Sequence, residues 1–360
     1  MSVKENPTIF IEATIGGVGR SGTMANEKTQ GRFEMEQLLY LECSAGISGD
    51  MVVAALLDAG ASEQKLRGVL ESLDLDGFSV EISRVHKSGL DACDFNVVLD
   101  AVHDGHDHDM AYLYGRGGCG SADDDSCSAR DGVSRHSHGA HGNAAEVFPD
   151  ARGGRSDKSD AAFGHFRHAA GGHNEHHEHR TLAEIIAIID ASAATPHAKD
   201  LAKRIFSVLA SAEAKAHGVP AKEVHFHEVG AVDSIVDILA AAVCLDDLAP
   251  SGVVVSRLCE GQGMVRCQHG VIPVPVPAVV NIAAVHDIPL SIIDAQGELV
   301  TPTGAAFVAA ARTASRLPEA FTVTRVGLGA GKRVYPETSG LLRVFLVSPV
   351  PFEPSERSVL

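Results

Sequence analysis

Apolar positions in this chain recur with two periods, and the changes between them mark out its elements. Leu38–Glu42 alternates as a buried strand, Gly46-Ile-Ser-Gly49 is a tight loop, and Asp50–Ala59 has helical spacing up to Gly60. Ser62 is placed to cap a second helix through Leu73. Phe78–Val85 and Phe95–Leu99 alternate as strands around Ser88-Gly89, the pattern of a β pair. Further along, the spacing predicts helices over Thr181–Ala191, His197–His217, Val232–Leu248 and Thr303 to about Ser315. Strands are predicted at Val224–Phe226, Val253–Arg257, Leu290–Ile293, Phe321–Val326 and Leu341–Val347, with a turn at Gly261–Gly263. Val271–Pro277 must be extended, and Pro277 fits the first turn of a helix through Val285.

Residues 103–179 differ in kind. Gly, Ser, Asp and His dominate, apolar periodicity vanishes, and 12 of the chain's 19 histidines fall here. Such a segment cannot offset its ordering entropy by burial, so a disordered insert is expected, suited to collecting transition-metal ions. The fold class that follows is α/β, a mixed β-sheet packed with helices and interrupted by a long disordered His-rich insert. The expected divisions are an irregular extension at 1–37, a first part of the α/β domain at 38–102, the insert at 103–179, a second part at 180–348 and an irregular tail at 349–360.

Composition narrows the function. The formal net charge of −17 excludes a broad basic face for a nucleic-acid backbone. No stretch is apolar and long enough to span a membrane, so no membrane partner is expected. Seven cysteines, odd in number and without a Cys-x-x-Cys pair, argue against a disulfide framework or zinc ribbon and for a reducing cytoplasm.

The densest candidate chemistry lies at His225-Phe-His-Glu-Val-Gly-Ala-Val-Asp-Ser-Ile-Val-Asp237. On a strand, His225 and His227 share a face; on the following helix, Asp233 and Asp237 are four apart and share another. Imidazoles and carboxylates at a strand-to-helix corner suit a divalent transition metal. His225, His227 and Asp233 are the candidate metal ligands, and Asp237 or Glu228 orients them or accepts a proton. The bland alternative is that Asp233 complements a helix dipole and the histidines flank a wet strand. His269, in Cys267-Gln-His-Gly270, is a third candidate for acid–base work beside a turn.

Two loops could hold an anion. Gly46, Ser48, Gly49 and Asp50 lie at a strand-to-helix turn whose N–H groups face outward, and Thr301, Thr303 and Gly304 repeat that arrangement. Ordinary helix capping is the plainer role for both. Neither is a P-loop or a Gly-x-Gly-x-x-Gly fingerprint. Tyr335 and Gly327-Leu-Gly-Ala-Gly331 read as a glycine-rich loop whose backbone approaches something closely.

Gly46-Ile-Ser-Gly-Asp-Met51, Glu213-Ala-Lys-Ala-His217, the 224–237 stretch, His269-Gly-Val-Ile-Pro-Val-Pro-Val-Pro277, Gly297-Glu-Leu-Val-Thr-Pro-Thr-Gly-Ala305 and Gly329-Ala-Gly331 occur in this order. The combination resembles the nickel-insertion proteins of nickel-pincer cofactor biosynthesis, also called nickel-pincer cyclometallases. The resemblance covers about residues 38–101 and 179–347, and the His-rich insert is itself family-like. It implies binding of Ni²⁺ and its delivery to pyridinium-3,5-bisthiocarboxylic acid mononucleotide, with two Ni–S bonds and one Ni–C bond formed. The product serves lactate racemase and related nickel-pincer enzymes, and the family's reaction depends on CTP with Mg²⁺ or Mn²⁺.

Departures from the family pattern are Glu42, where Asp is usual, and Ser339-Gly340, where Pro-Asn is common. The family's complete proteins continue beyond the last predicted strand into a domain that carries the CTP site and drives homo-oligomerisation. The resemblance therefore implies that a separate chain supplies the CTP site here, or that it is lost. Two rival functions are a nickel store or chaperone working through the 103–179 histidines, and a metal-dependent hydrolase that activates water at the 225–237 corner.

Overall fold

A computed structural model of the chain describes residues 37–100, 180–221, 224–226, 231–267 and 270–350, with His225 described by its backbone alone. These residues all belong to one compact unit that begins at Glu36. The expected extension at 1–37, insert at 103–179 and tail at 349–360 lie almost wholly outside them.

β1 (Leu38–Glu42) has the predicted bounds, with Leu39 and Leu41 fully buried. α1 (Gly49–Asp58) follows, then α2 (Glu63–Leu70), where the Ser62 hydroxyl accepts the Lys65 N–H as its composition predicts. β2 (Phe78–Lys87) and β3 (Leu90–Leu99) form a longer hairpin than the alternation indicated, turning through Ser88 and Gly89, both at positive φ.

The chain re-enters at β4 (Arg180–Thr181), a two-residue strand that sequence periodicity is too short to register. Thr181 and Glu184 form a reciprocal capping box at the start of α3 (Leu182–Ala191). α4 (Pro196–His217) ends at a left-handed Gly218, β5 is His225–Phe226, and α5 (Val232–Leu248) matches its predicted span. The remaining elements are β6 (Gly252–Val255), β7 (Leu258–Cys267), β8 (Gly270–Val274), α6 (Pro277–Val285), β9 (Leu290–Gln296), α7 (Pro302–Ala311), β10 (Phe321–Ala330) and β11 (Leu341–Pro349).

The main sheet runs β2-β3-β10-β11-β1-β6. It is mixed as expected: β1 pairs antiparallel with β11 and parallel with β6, and β10 meets β3 in parallel. Strands from both sides of the 101–179 segment therefore build one sheet. A smaller sheet, β8-β7-β9, stands beside it, and β4 pairs with β5. The core lies between the main sheet and the helices, where Leu201, Ile205, Phe206 and Leu209 of α4 meet Ile235, Val236 and Leu239 of α5. Each such side chain contributes about 1.5–3 kcal/mol on burial.

Two expectations need correction. Gly261–Gly263 is not a turn but lies within β7, which carries a register shift there against β9. The strand continues because a β-carbon on Gly261 would collide with the carbonyl of Gly297, so glycine is required for close approach rather than for reversal. Gly327–Gly331 is likewise not a loop up to Ala330 but the second half of β10. What approaches it closely is α1: β-carbons on Gly327 and Gly329 would strike the carbonyl oxygens of Ala55 and Met51. These glycines let a helix lie directly on the sheet and carry its N-terminus to the cleft described next.

Candidate functional site: a charged cleft at two helix N-termini

α1 and α5 pack together, which brings Asp237, in the second turn of α5, to the N-terminus of α1. Helices leave their first N–H groups unpaired, and Ser48, the residue preceding α1, makes no cap of its own. Its hydroxyl donates instead to Asp50. The Asp237 carboxyl takes over, accepting the backbone N–H of Asp50. The fit is close enough that a β-carbon on Gly49 would lie 2.6 Å from Asp237 Oδ2.

Asp237 is electrostatically frustrated. Burial, then the nearby charges of Asp50 and Asp233, push its carboxyl well above the usual carboxylate range; Lys332 and the Asp50 N–H oppose this only in part. Its Oδ1 is shielded from solvent and has no hydrogen-bond partner among the described residues. A buried carboxyl oxygen without a donor is costly, and either a proton or a cation relieves it. Asp233 lies in the first turn of α5, its Oδ1 accepting the neighbouring Ser234 N–H at 2.8 Å. The two acids thus share one end of α5, as their spacing predicts.

The glycine loops read separately in the sequence are one clasp. The Ile47 N–H donates to the Leu299 carbonyl at 2.9 Å, and the Thr301 N–H donates to the Ile47 carbonyl at 3.0 Å. Gly46 lies against the Leu299 carbonyl and Gly304 against that of Ile47, with no room for a β-carbon at either. The Thr301 hydroxyl caps α7 by accepting the Gly304 N–H at 3.1 Å. Ser48, Asp50 and Thr301 line a cleft of about 70 Å³; Gly46, Gly49 and Gly304 lie behind it as packing positions, and Thr303 does not line it.

The opposite wall is Gly331–Arg333 with Tyr335. Lys332 Nζ lies 2.6 Å from both carboxylate oxygens of Asp94. Arg333 pairs with Glu298 at 2.5 Å, and the Tyr335 hydroxyl donates to the Glu298 carbonyl at 2.7 Å. Behind them Lys87 Nζ donates to the carbonyls of Gly331 and, at 2.8 Å, Arg333. Burial holds the Lys87 ammonium below its ordinary value, partly offset by Asp50 and Asp94. A larger cleft of about 350 Å³, bordered by Leu90, Leu328 and Arg343, adjoins the first at Ala45.

Beneath the Glu298–Thr301 wall lies Glu260, fully buried on β7. Its Oε1 accepts the N–H groups of Leu299 (2.7 Å), Gly261 (2.8 Å) and Val300 (3.1 Å). Oε2 has no partner among the described residues. Burial pushes the Glu260 carboxyl up to about 7, with the nearby Glu298 adding to the rise and the three amides opposing it.

The backbone of His225 pairs with Thr181, and the Phe226 ring packs edge-on against Phe206 at 6.3 Å. The strand proposed to carry the metal ligands is thus joined to the first residues after the His-rich segment. His227, Glu228, His269 and the His225 side chain lie outside the described residues. Among the described residues no three His, Cys, Asp or Glu side chains gather as a metal cluster. Sequence reasoning missed Lys87, Asp94, Glu260, Lys332 and Arg333. A signal existed for the last two: adjacent cations between a glycine-rich strand and Tyr335, in a strongly acidic chain.

Fold and site together define an α/β protein with a small charged cleft where two loops are clasped at helix N-termini. The family model described as nickel insertion protein matches residues 39–360, and the chain belongs to that family. It is 42% identical over 314 residues to the pyridinium-3,5-bisthiocarboxylic acid mononucleotide nickel insertion protein of Alkaliphilus metalliredigens (strain QYMF), covering 87% of this chain and 61% of that protein. The protein of the same name from Geobacillus kaustophilus (strain HTA426) is 32% identical over 311 residues, covering 86% of this chain and 59% of the relative. The chain thus spans about three-fifths of the length of these curated relatives. No solved structure matches it. Among the described residues no helix is long and apolar enough to cross a membrane.

Proposed function

We propose that this chain binds Ni²⁺ as cargo and inserts it into pyridinium-3,5-bisthiocarboxylic acid mononucleotide, forming the nickel-pincer cofactor of lactate racemase-type enzymes. His225, His227 and Asp233 hold the ion through nitrogen and oxygen donors, weakly enough for two substrate sulfurs to displace them. Closing the Ni–C bond requires loss of a ring proton, which passes to Asp237, Glu228 or His269 as base. The observation that carries this reading is Asp237, a buried carboxyl that accepts the N–H of the cleft-lining Asp50 and whose Oδ1 has no hydrogen-bond partner among the described residues. That group is equipped to take up a proton or to face a cation.

The substrate's anionic groups are matched by Lys332 and Arg333, with the Ser48 and Thr301 hydroxyls at the clasp. Histidines of the 103–179 segment collect nickel and pass it toward β5, since that segment joins β4, which pairs with β5. CTP with Mg²⁺ or Mn²⁺ is bound by a partner domain or chain, in the part of the relatives' length not spanned here. That part also carries homo-oligomerisation. The free thiols of Cys43, Cys93, Cys244, Cys259 and Cys267 fit a reducing cytoplasm.

The test is reconstitution with Ni²⁺, the mononucleotide, CTP with Mg²⁺ and a CTP-binding partner, read by mass spectrometry as a nickel-containing product that has lost one ring proton. Product formation that requires Asp237 and the 225/227 histidines supports the reading. Nickel bound but never transferred by the complete system removes it.

A further inference from the structure

Glu260 plays no part in the chemistry above, yet it holds the Glu298–Thr301 wall of the cleft from behind. Three backbone N–H groups converge on a single carboxyl oxygen, and two of them belong to Leu299 and Val300. The same short segment donates and accepts across the clasp, through the Leu299 carbonyl to Ile47 and from the Thr301 N–H back to Ile47. Its root is tied to β7 as well, since the Gly297 N–H donates to the Gln262 carbonyl at 2.8 Å and Gly261 leaves no space between the two backbones. Glu298 and Thr301, which bracket the pinned residues, both line the cleft, and Glu298 sets Arg333 at 2.5 Å.

We infer that Glu260 is a positioning residue for substrate binding, fixing the Glu298–Thr301 wall so that Thr301 and the Glu298–Arg333 pair face the mononucleotide. The inference rests on the function proposed above. Its physical basis is that amides buried in a loop must find an acceptor, and a loop whose amides lose theirs shifts until they do. Segment 298–301 belongs to no named helix or strand; a single bridge to Ile47 holds its Leu299 carbonyl and Thr301 N–H, while the Leu299 and Val300 amides rest on Glu260. Oε2 has no partner among the described residues, so a proton on that oxygen neutralises the group and leaves all three bonds to Oε1 intact.

The experiment compares wild type with Glu260→Gln and Glu260→Val in the full chain, measuring two ligands separately. One is Ni²⁺ alone; the other is the oxygen analogue of the substrate, pyridinium-3,5-dicarboxylic acid mononucleotide. E260Q keeps the acceptor and is expected to bind both as wild type does. E260V is expected to weaken the mononucleotide by on the order of tenfold or more while leaving nickel affinity and stoichiometry unchanged, because two of the three amides that lose their acceptor belong to the cleft wall. The inference is overturned if E260V binds the mononucleotide as wild type does, or if it loses both ligands in parallel with its folded fraction. It is also overturned if E260Q fails to rescue. Absence of mononucleotide binding to wild type would instead count against the proposed function itself.

Discussion

Gly49 begins α1 without a side chain because the Asp237 carboxyl occupies the space one would fill, with Oδ2 2.6 Å from where a β-carbon would sit. The contact joins the first residue of one helix to the second turn of another. It makes Asp237 the cap of α1, a role that Ser48 leaves open.

Replacing Gly49 with Ala should displace the Asp237 carboxyl and open the corner. Overpacking of this kind costs about 1–3 kcal/mol, measurable by urea denaturation. Nickel insertion is expected to fall further than the stability loss explains. Insertion at the wild-type rate in a folded Gly49→Ala variant would separate Asp237 from the chemistry.

Asp237→Asn tests the protonation state of that carboxyl. Burial and two neighbouring acids raise its folded value above the unfolded one, so the folded state holds the proton more tightly and this group favours folding most at low pH. The neutral amide has no charge to form as pH rises. The variant should therefore match or exceed wild-type stability at pH 8 while losing insertion activity. A large destabilisation at pH 8 would show that Asp237 is held as a carboxylate.

Glu260 gives stability a second dependence on pH. Its folded value of about 7, against 4.5 for the free side chain, means that its contribution is fully present below pH 4.5 and is lost as pH rises toward 7. The span is on the order of 3 kcal/mol. Denaturation midpoints across that window should decline with pH in wild type and flatten in Glu260→Gln. Parallel profiles for the two proteins would contradict the assignment.

Removing both imidazoles with His225→Ala and His227→Ala should abolish tight nickel binding and leave the fold intact, because β5 is joined to β4 through its backbone. Equilibrium dialysis gives the stoichiometry, and circular dichroism reports the fold. Unchanged nickel affinity would move the ligand set elsewhere.

Gly329→Val should be among the most damaging changes outside the cleft, costing about 3 kcal/mol or more and lowering soluble yield. Its side chain would enter the Met51 carbonyl and lift α1 from β10. A melting temperature like that of wild type would mean that α1 can be displaced freely, which the close packing of Gly327 and Gly329 argues against.

What was legible in the sequence was local. β1 and α5 have the bounds their periodicities predict, Ser62 caps α2 by accepting an N–H three residues on, and Asp233 and Asp237 share one end of α5. Spacings of two, three or four residues fix such relations before any tertiary contact forms. Glycine misled the sequence reading at Gly261–Gly263 and within Gly327–Gly331, because a missing side chain serves a turn and a close approach equally well.

Tertiary structure decided the rest. It chose Asp237 to cap α1, joined the Ile47 and Thr301 loops into one clasp, turned three amides onto Glu260, and set Lys332 on Asp94 and Arg333 on Glu298. None of these partners are near one another along the chain except Glu260 and Gly261, so no period could reveal them. Helix and strand patterns specify which face of an element is apolar; only the packing of those faces determines which polar ends meet, and here the meeting of polar ends is the site.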